Sequence, residues 1–176
     1  AVTDIDNDGN ADLVVGEEEG NLNYLRNSGS LSGPIFTLEN DQLGGVSTIV
    51  TPPYFVGQSA PYFFEFEGVK YASVGSKSGK IFQYQVGNVN EEWPELDQGF
   101  DIYSSFNASP SGLSTKPVIV NLNDDEIPEV IVGLTTGGLE LFMGEGFLNT
   151  EFQESLNQRG IKIFPNPSES ELKIEL

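Results

Sequence analysis

Three stretches of the chain share one pattern, and this pattern decides the fold. They read DLVVGEEEGNLNYL at 12–25, YASVGSKSGKIFQY at 71–84 and EVIVGLTTGGLELF at 129–142. Each contains a Val-Gly pair, three further residues, a second glycine, and a Leu or Ile two positions later. The first glycines lie 59 and 58 residues apart, at Gly16, Gly75 and Gly133. Such a nearly constant period indicates a repeat architecture.

Each repeat is predicted to form a β-hairpin. The first strands, for example 13–15 and 130–132, are rich in β-branched residues and too short for helices. The second strands contain β-formers and aromatic residues and lie near 21–26, 80–86 and 138–143. Glycines beside the turn supply the positive φ that a tight connection needs. Additional strands are expected at 62–64, 118–120 and 35–38. The first repeat is expected to lack its innermost strand.

The predicted fold class is all-β, with about three four-stranded β-propeller blades in residues 1–145. About four short strands per ~59 residues are typical of a propeller blade. The alternative is a β-sandwich whose turn spacing is coincidental. Because propellers have about 4–8 blades, we expect a fragment of a larger propeller. Its two outer faces would need covering by the remaining blades of the parent chain, a second copy or a partner.

An acidic loop precedes the first hairpin and reads DIDNDGNAD at 4–12. Its carboxylates occupy positions 1, 3, 5 and 9, at Asp4, Asp6, Asp8 and Asp12. Alternate residues of a tight loop can point inward, and calcium takes about six to eight oxygen ligands. The carbonyl of Asn10 would supply another oxygen. The prediction is a calcium site, and the alternative is a solvated Asp/Asn/Gly turn.

A second, weaker calcium loop is predicted in the third repeat, which reads NLNDDEIPE at 121–129. Its expected ligands are Asn121, Asn123, Asp125, the carbonyl of Ile127, and Glu129. Glu126 replaces the turn glycine and only two ligands carry charge, so weaker binding is expected. The second repeat has Glu65, Glu67 and Gly68 in the comparable place, and no metal is expected there.

Composition excludes several classes of function. The 176 residues include 8 Lys and Arg against 27 Asp and Glu, for a formal net charge of -19. Nucleic acid and anionic membrane surfaces are therefore not expected as partners. The absence of Cys and His excludes thiol nucleophiles, Ser-His-Asp triads and His or Cys zinc sites. No apolar run approaches the ~20 residues of a membrane helix, so direct membrane insertion is not expected.

The acidic loop and the following strand together resemble a known repeat family. Asp-x-Asp-x-Asp-Gly-x-x-Asp before Leu-Val-Val-Gly, at a period of about 60 residues, resembles the FG-GAP/VCBS repeats of integrin-type β-propellers. The resemblance covers roughly residues 1–143, through a degenerate motif in the third repeat and strands alone in the second. It implies a structural calcium ion and a role as an adhesin, a lectin or an accessory domain of a secreted enzyme.

The C-terminal stretch reads IKIFPNPSESELKIEL at 161–176. It resembles the opening of the C-terminal sorting domain of type IX secretion substrates in Bacteroidetes. This resemblance implies the start of a β-sandwich and recognition by the type IX secretion translocon. The alternative is a proline-rich linker before another β-domain. Residues 146–160 are interpreted as a linker, with a possible short helix near 151–158 because 150–153 has capping-box spacing.

The sequence as a whole predicts a calcium-binding, secreted or cell-surface β-propeller fragment that binds or adheres to a protein or glycan. It is expected not to be an enzyme, with no catalytic residue and no cofactor other than calcium. One alternative is a non-catalytic accessory module of a secreted hydrolase. Another is a structural subunit bound to the secretion machinery. Because the chain opens on Ala1 and enters the acidic loop within three residues, we expect a fragment of a longer precursor.

Overall fold

The structure is a computed structural model that describes residues 1–30, 32–96, 112–122 and 128–142. Within these ranges the chain is all-β, as predicted, with one 3₁₀ turn at Leu43–Gly45. None of the described segments is a helix able to cross a lipid bilayer. The first of three antiparallel sheets, sheet 1, has the order β1 (Val2–Thr3), β2 (Asp12–Gly16), β3 (Leu22–Asn27) and β4 (Phe36–Asn40).

The other two sheets each contain three described strands in sequence order. Sheet 2 consists of β5 (Ala60–Phe66), β6 (Val69–Gly75) and β7 (Ile81–Gln85). Sheet 3 consists of β8 (Lys116–Val120), β9 (Glu129–Gly133) and β10 (Leu139–Phe142). Each predicted hairpin is present, as β2–β3, β6–β7 and β9–β10, and each joins antiparallel neighbours. The turn glycines Gly20, Gly79 and Gly137 all have positive φ, which explains why glycine recurs there.

The strand count differs from the prediction in two places. The first repeat does have an inner strand, because β1 pairs with β2 through Val2 and Leu13. The prediction that this strand is missing was wrong, since two residues suffice to form the ladder. In sheet 2 the described residues after β7 contribute a single bridge, between Tyr84 and Glu95, and residues 97–111 lie outside the described part of the chain. Only sheet 1 therefore has four full strands among the described residues.

The three sheets stack face to face and share two hydrophobic cores. Sheets 1 and 2 bury the first core, which contains Val14, Leu22, Tyr24, Ala72, Val74, Phe82, Tyr84 and Trp93. Sheets 2 and 3 enclose the second core, built from Ile119, Val130 and Val132 with Tyr62, Phe64, Tyr71 and Ile81 packed on them. The two faces of sheet 2 are thus both covered, which is why β6 and β7 are buried along most of their length.

The two outermost faces of the stack are apolar and exposed. On sheet 1, cross-strand pairing aligns Val2, Leu13, Leu25 and Leu38 in one row across all four strands. Val2 and Leu38 at the ends of this row are 70% and 57% exposed. On sheet 3, pairing aligns Val118, Ile131 and Leu141. Val118 is 42% exposed, and Ile131 and Leu141 are half-buried. In the described part of the chain no further sheet packs on either row, in contrast to the faces that meet inside the stack.

Trp93 is a core residue. Its side chain is 4% exposed and meets Phe63 edge to face, with 6.2 Å between the ring centroids. Its Nε1 donates to the carbonyl of Asn88 at 3.1 Å. A buried indole of this kind stabilises the packing between sheets and is not available to stack on a sugar ring.

The expected linker at 146–160, the helix near 151–158 and the sorting-domain resemblance at 161–176 lie outside the described residues. These predictions stay predictions.

Two buried tyrosines predict a loss of stability in alkaline solution. Burial, followed by the nearby carboxylate of Glu95, raises the pKa of Tyr84 to about 12. Burial and then the carboxylate of Asp12 raise the pKa of Tyr24 above its usual value of 10.0. A raised pKa means that the folded state keeps its phenol proton after the unfolded state has lost it. The resulting stability is complete below about pH 10 and declines as the pH rises through the folded-state pKa.

Urea denaturation between pH 8 and pH 12, with phenolate absorbance as a second readout, checks this expectation. The free energy of unfolding of Tyr84→Phe should fall less steeply above pH 10 than that of the wild type. Equal slopes for the two proteins would contradict the assignment of alkaline sensitivity to Tyr84.

Candidate metal centre

The acidic loop between β1 and β2 brings three carboxylates together. Oxygen atoms of Asp4, Asp6 and Asp8 all lie within 4.8 Å of one another. These residues hold positions 1, 3 and 5 of the predicted calcium loop, and their carboxylates converge as expected, while their role as metal ligands stays a prediction. Asp4 and Asp6 are partly buried and Asp8 is exposed. Convergent carboxylate oxygens at this spacing are suitable ligands for a hard cation such as calcium.

The backbone of the loop folds around these carboxylates. Asp4 accepts hydrogen bonds from the backbone N–H groups of Asp8 at 3.1 Å and Gly9 at 2.9 Å. Asp8 accepts from the backbone N–H of Asn10 at 2.8 Å and from its side-chain amide at 3.0 Å. The backbone bond from Asn10, more than any other contact, lowers the pKa of Asp8 below its usual value. The backbone of the loop thus orients the carboxylates of Asp4 and Asp8, and at Asp8 it favours the ionised form.

Arg26, on β3, forms ion pairs with two members of the triad. Its Nε lies 2.7 Å from an oxygen of Asp6, and its Nη2 lies 3.1 Å from an oxygen of Asp8. The hydrogen bond to Asp6 is the main cause of a raised pKa at Arg26. The three carboxylates and the guanidinium carry a formal charge of −2, and the Lys70 ammonium, which contacts the Asp4 carbonyl, reduces the net charge around the loop to −1. The remaining negative charge favours a bound cation.

Lys70 connects the loop to sheet 2. Its Nζ donates to the backbone carbonyl of Asp4 and, at 3.3 Å, to the side-chain oxygen of Asn7. The residue lies at the start of β6, the strand that follows the tight turn Glu67–Gly68. Because that turn joins β5 to β6 directly, the second repeat has no loop of its own comparable to 4–12. The connection between β5 and β6 is therefore shorter than the loop at 4–12.

Asp12 occupies a different place from the other predicted ligands. It is fully buried, and both of its carboxylate oxygens accept hydrogen bonds within the fold. One accepts from the backbone N–H of Asn27 at 2.7 Å. The other accepts from the backbone N–H of Ile5 at 3.1 Å and from the Tyr24 hydroxyl at 3.3 Å. The structure therefore assigns Asp12 a role in closing the loop onto β2 and β3, outside the triad.

Glu129 repeats this arrangement in the third repeat. It is fully buried, and its Oε2 accepts from the backbone N–H of Leu122 at 2.7 Å. Leu122 precedes Glu129 by seven residues, as Ile5 precedes Asp12. The two loops therefore share one closing contact. Of the other predicted ligands, Asn121 is exposed, and Asn123, Asp125 and Ile127 lie outside the described residues. The second calcium loop stays a prediction, as does the carbonyl of Asn10 as a ligand in the first.

Sequence reasoning missed Arg26 and Lys70. The position of Arg26 could have been predicted from the strand register. A hairpin that pairs Leu13 with Leu25 places the next residue, Arg26, beside the end of the acidic loop. Lys70 could not be found this way, since it approaches from another sheet.

Comparisons with known proteins give no further assignment. A scan against models of protein families, a search of curated proteins and a search of solved structures found no match to this chain.

Proposed function

We propose that this chain is an arc of a calcium-stabilised β-propeller that acts in binding or adhesion outside the cell. The observation that carries the proposal is the triad of Asp4, Asp6 and Asp8 at the entry to a sheet that recurs at a constant period. Calcium would hold the loop between β1 and β2 closed. The propeller arc would present its loops to a protein or glycan ligand.

The stacking of the sheets supports a propeller over a two-sheet sandwich. A sandwich has a single interface between two sheets, whereas here sheet 2 is covered on both faces by neighbours of similar design. The apolar rows left exposed on sheets 1 and 3 are what further sheets of a propeller would cover. Neighbouring blades, a second copy or another protein would supply those sheets.

The donor set supports calcium over other metals. The ligands on offer are carboxylate and carbonyl oxygens, and the whole sequence has no Cys or His to favour zinc or copper. Calcium tolerates flexible, oxygen-rich coordination, which suits an irregular loop better than the strict octahedron of magnesium. The ion would be structural, with no catalytic step assigned to it.

The expected calcium affinity, the C-terminal resemblance and the net charge support secretion and a role in binding. Calcium sites with affinities of about 10⁻⁴–10⁻³ M are filled at extracellular calcium concentrations, and such sites are typical of extracellular modules. The resemblance of 161–176 to a type IX sorting domain points to the same compartment and to the translocon as a partner. A formal charge of -19 favours a soluble surface and cationic or calcium-bridged contacts over nucleic acid.

Calcium is expected to raise the melting temperature of the wild-type protein relative to the same protein in a chelator. At a calcium concentration ten times the dissociation constant, linkage stabilises the folded state by about 1.4 kcal/mol. For a chain of this size that corresponds to roughly 3–6 °C. Asp6→Ala and Asp8→Ala should each remove the shift, because each deletes one ligand of the triad.

Asp41→Ala is the matched control, because it removes an exposed carboxylate that lies outside the triad. It should keep the full calcium-dependent shift, which separates a specific site from general screening of negative charge. A wild-type melting temperature that does not respond to 10 mM calcium, or a shift that survives unchanged in Asp6→Ala, would refute the site.

A further inference from the structure

A short loop fastens sheet 2 onto sheet 1 through backbone contacts. The N–H of Glu17 donates to the hydroxyl of Ser59 at 2.9 Å, and the N–H of Ser59 donates back to the Glu17 carbonyl at 3.0 Å. The N–H of Gln58 donates to the carbonyl of Glu18 at 3.0 Å. Gly16 lies directly beneath, where an added Cβ would overlap the carbonyl of Ser59. We call this set of contacts the clasp.

The same clasp fastens sheet 3 onto sheet 2. The N–H of Ser76 donates to the hydroxyl of Thr115 at 3.0 Å, and the N–H of Thr115 donates to the Ser76 carbonyl at 3.0 Å. The N–H of Ser114 donates to the Lys77 carbonyl at 3.2 Å. A Cβ at Gly75 would overlap the carbonyl of Thr115. Each clasp thus joins a glycine and its following residue to a hydroxyl residue of the next sheet.

The incoming segments share a sequence pattern that explains the contacts. They read Ser-Ala-Pro at 59–61 and Thr-Lys-Pro at 115–117. The hydroxyl of the Ser or Thr accepts a hydrogen bond from the backbone N–H that follows the glycine of the previous sheet. The proline, which lacks an N–H, is the second residue of β5 and of β8, and each of these strands lies at the edge of its sheet among the described residues. Ser/Thr-X-Pro is therefore the signature of the segment that enters the clasp.

The third sheet presents the receiving half of this clasp with nothing seated in it among the described residues. The nearest described atoms to a Cβ at Gly133 are 3.9 Å away, and nothing described lies within 4 Å of one at Gly137. No described residue accepts a hydrogen bond from the N–H of Leu134, the counterpart of Glu17 and Ser76. The exposed row that contains Val118 continues the apolar face beside it.

We propose that this face of sheet 3 binds a further antiparallel β-sheet whose first strand is entered by a Ser/Thr-X-Pro segment. In the proposed complex, the N–H of Leu134 donates to the hydroxyl of the entering segment, and the N–H of that segment donates to the Leu134 carbonyl. An apolar strand face of the partner packs on Val118, Ile131 and Leu141. The inference rests on the stacked-sheet part of the proposed function and is independent of calcium.

Continuity with the two interfaces inside the chain argues for this occupant. Both interfaces have a glycine at the equivalent position, a hydroxyl that accepts from the following N–H, and packing between apolar sheet faces. The surface of sheet 3 is therefore complementary to a sheet that begins with a Ser/Thr-X-Pro segment. A second copy of the whole chain is disfavoured, because it would bring another formal charge of -19 to the interface.

A synthetic peptide of residues 112–120, GLSTKPVIV, is a suitable probe because it contains the entering segment of sheet 3 itself. Titrated onto the full chain and followed by amide resonances, it should bind saturably and shift the signals of Leu134 and Thr135. A peptide with Thr115→Val lacks the hydroxyl and should bind at least tenfold more weakly. Absence of saturable binding at millimolar peptide would overturn the proposal.

Gly133→Ala in the full chain is the decisive variant. Its Cβ meets no described atom closer than 3.9 Å, so the chain should fold normally, yet the added methyl should block the clasp and weaken peptide binding at least tenfold. Binding that Gly133→Ala leaves unchanged would show that the peptide exchanges for β8 on sheet 2, and the proposal would fail. Concentration-dependent self-association of the chain that Gly133→Ala abolishes would identify a second copy as the occupant and would also overturn it.

A calcium titration of the same samples separates this inference from the metal site. If the wild-type chain shows its calcium-dependent shift but binds no peptide, the docking surface alone is refuted and the metal site stands.

Discussion

Replacing Asp12 by alanine is expected to destabilise the protein by about 3–5 kcal/mol, and to do so in the absence of any metal. The carboxylate is fully buried and accepts from the N–H groups of Ile5 and Asn27 and from the Tyr24 hydroxyl. Its removal leaves three buried donors without an acceptor, and each such donor costs about 1–3 kcal/mol. Urea denaturation in the presence of a chelator measures the effect.

Asp8→Ala is the matched control for this experiment. It removes the same chemical group from the same loop, but Asp8 is exposed and its pairing with Arg26 is a surface ion pair. Such exposed pairs are screened by solvent and contribute little, so the metal-free protein should lose little stability. The experiment distinguishes the roles of the two aspartates. Asp12 is expected to stabilise the protein with and without calcium, and Asp8 is expected to stabilise it chiefly when calcium is present. A metal-free Asp12→Ala protein as stable as the wild type would disprove the structural role of Asp12.

Replacing Gly75 by alanine is expected to cost about 3 kcal/mol, at the upper end of what overpacking costs. The backbone at Gly75 is not in the left-handed region, so alanine fits the local conformation. By itself the substitution would stabilise the protein, because alanine lowers the conformational entropy of the unfolded chain. The contact with Thr115 makes the net change in stability unfavourable. The new Cβ would overlap the carbonyl of Thr115, and β8 would have to move away from sheet 2. Because that carbonyl belongs to the backbone, the strain cannot be relieved by rotating a side chain.

Gly133→Ala tests the same substitution at the equivalent position of the next repeat. Its nearest described neighbours are 3.9 Å away, so its stability should stay within about 0.5 kcal/mol of the wild type or rise slightly. Chemical denaturation of both variants gives the comparison directly. Equal destabilisation of Gly75→Ala and Gly133→Ala would show that the loss comes from the strand and not from the contact between sheets.

The sequence by itself determined the local architecture. Period-2 strands, glycines with positive φ and a constant spacing define each hairpin within about 15 residues, because strand pairing across a tight turn depends on neighbours in the chain. The acidic triad was equally local, since alternate residues of one tight loop can point inward. The convergence of Asp4, Asp6 and Asp8 could therefore be predicted without knowledge of the rest of the fold, and metal binding by them stays a prediction.

The tertiary structure decided what those local pieces do to one another. Asp12 belongs to the same loop motif as the triad, yet its burial against β3 makes it a structural acceptor, and only the packing of Tyr24 and Asn27 around it shows this. Lys70 reaches the loop from a different sheet. The hydroxyls of Ser59 and Thr115 find their partners in the preceding repeat, about 40 residues earlier in the chain. Contacts of this kind depend on how finished sheets stack, and burial and stacking are properties of three-dimensional neighbours that no short-range sequence pattern specifies.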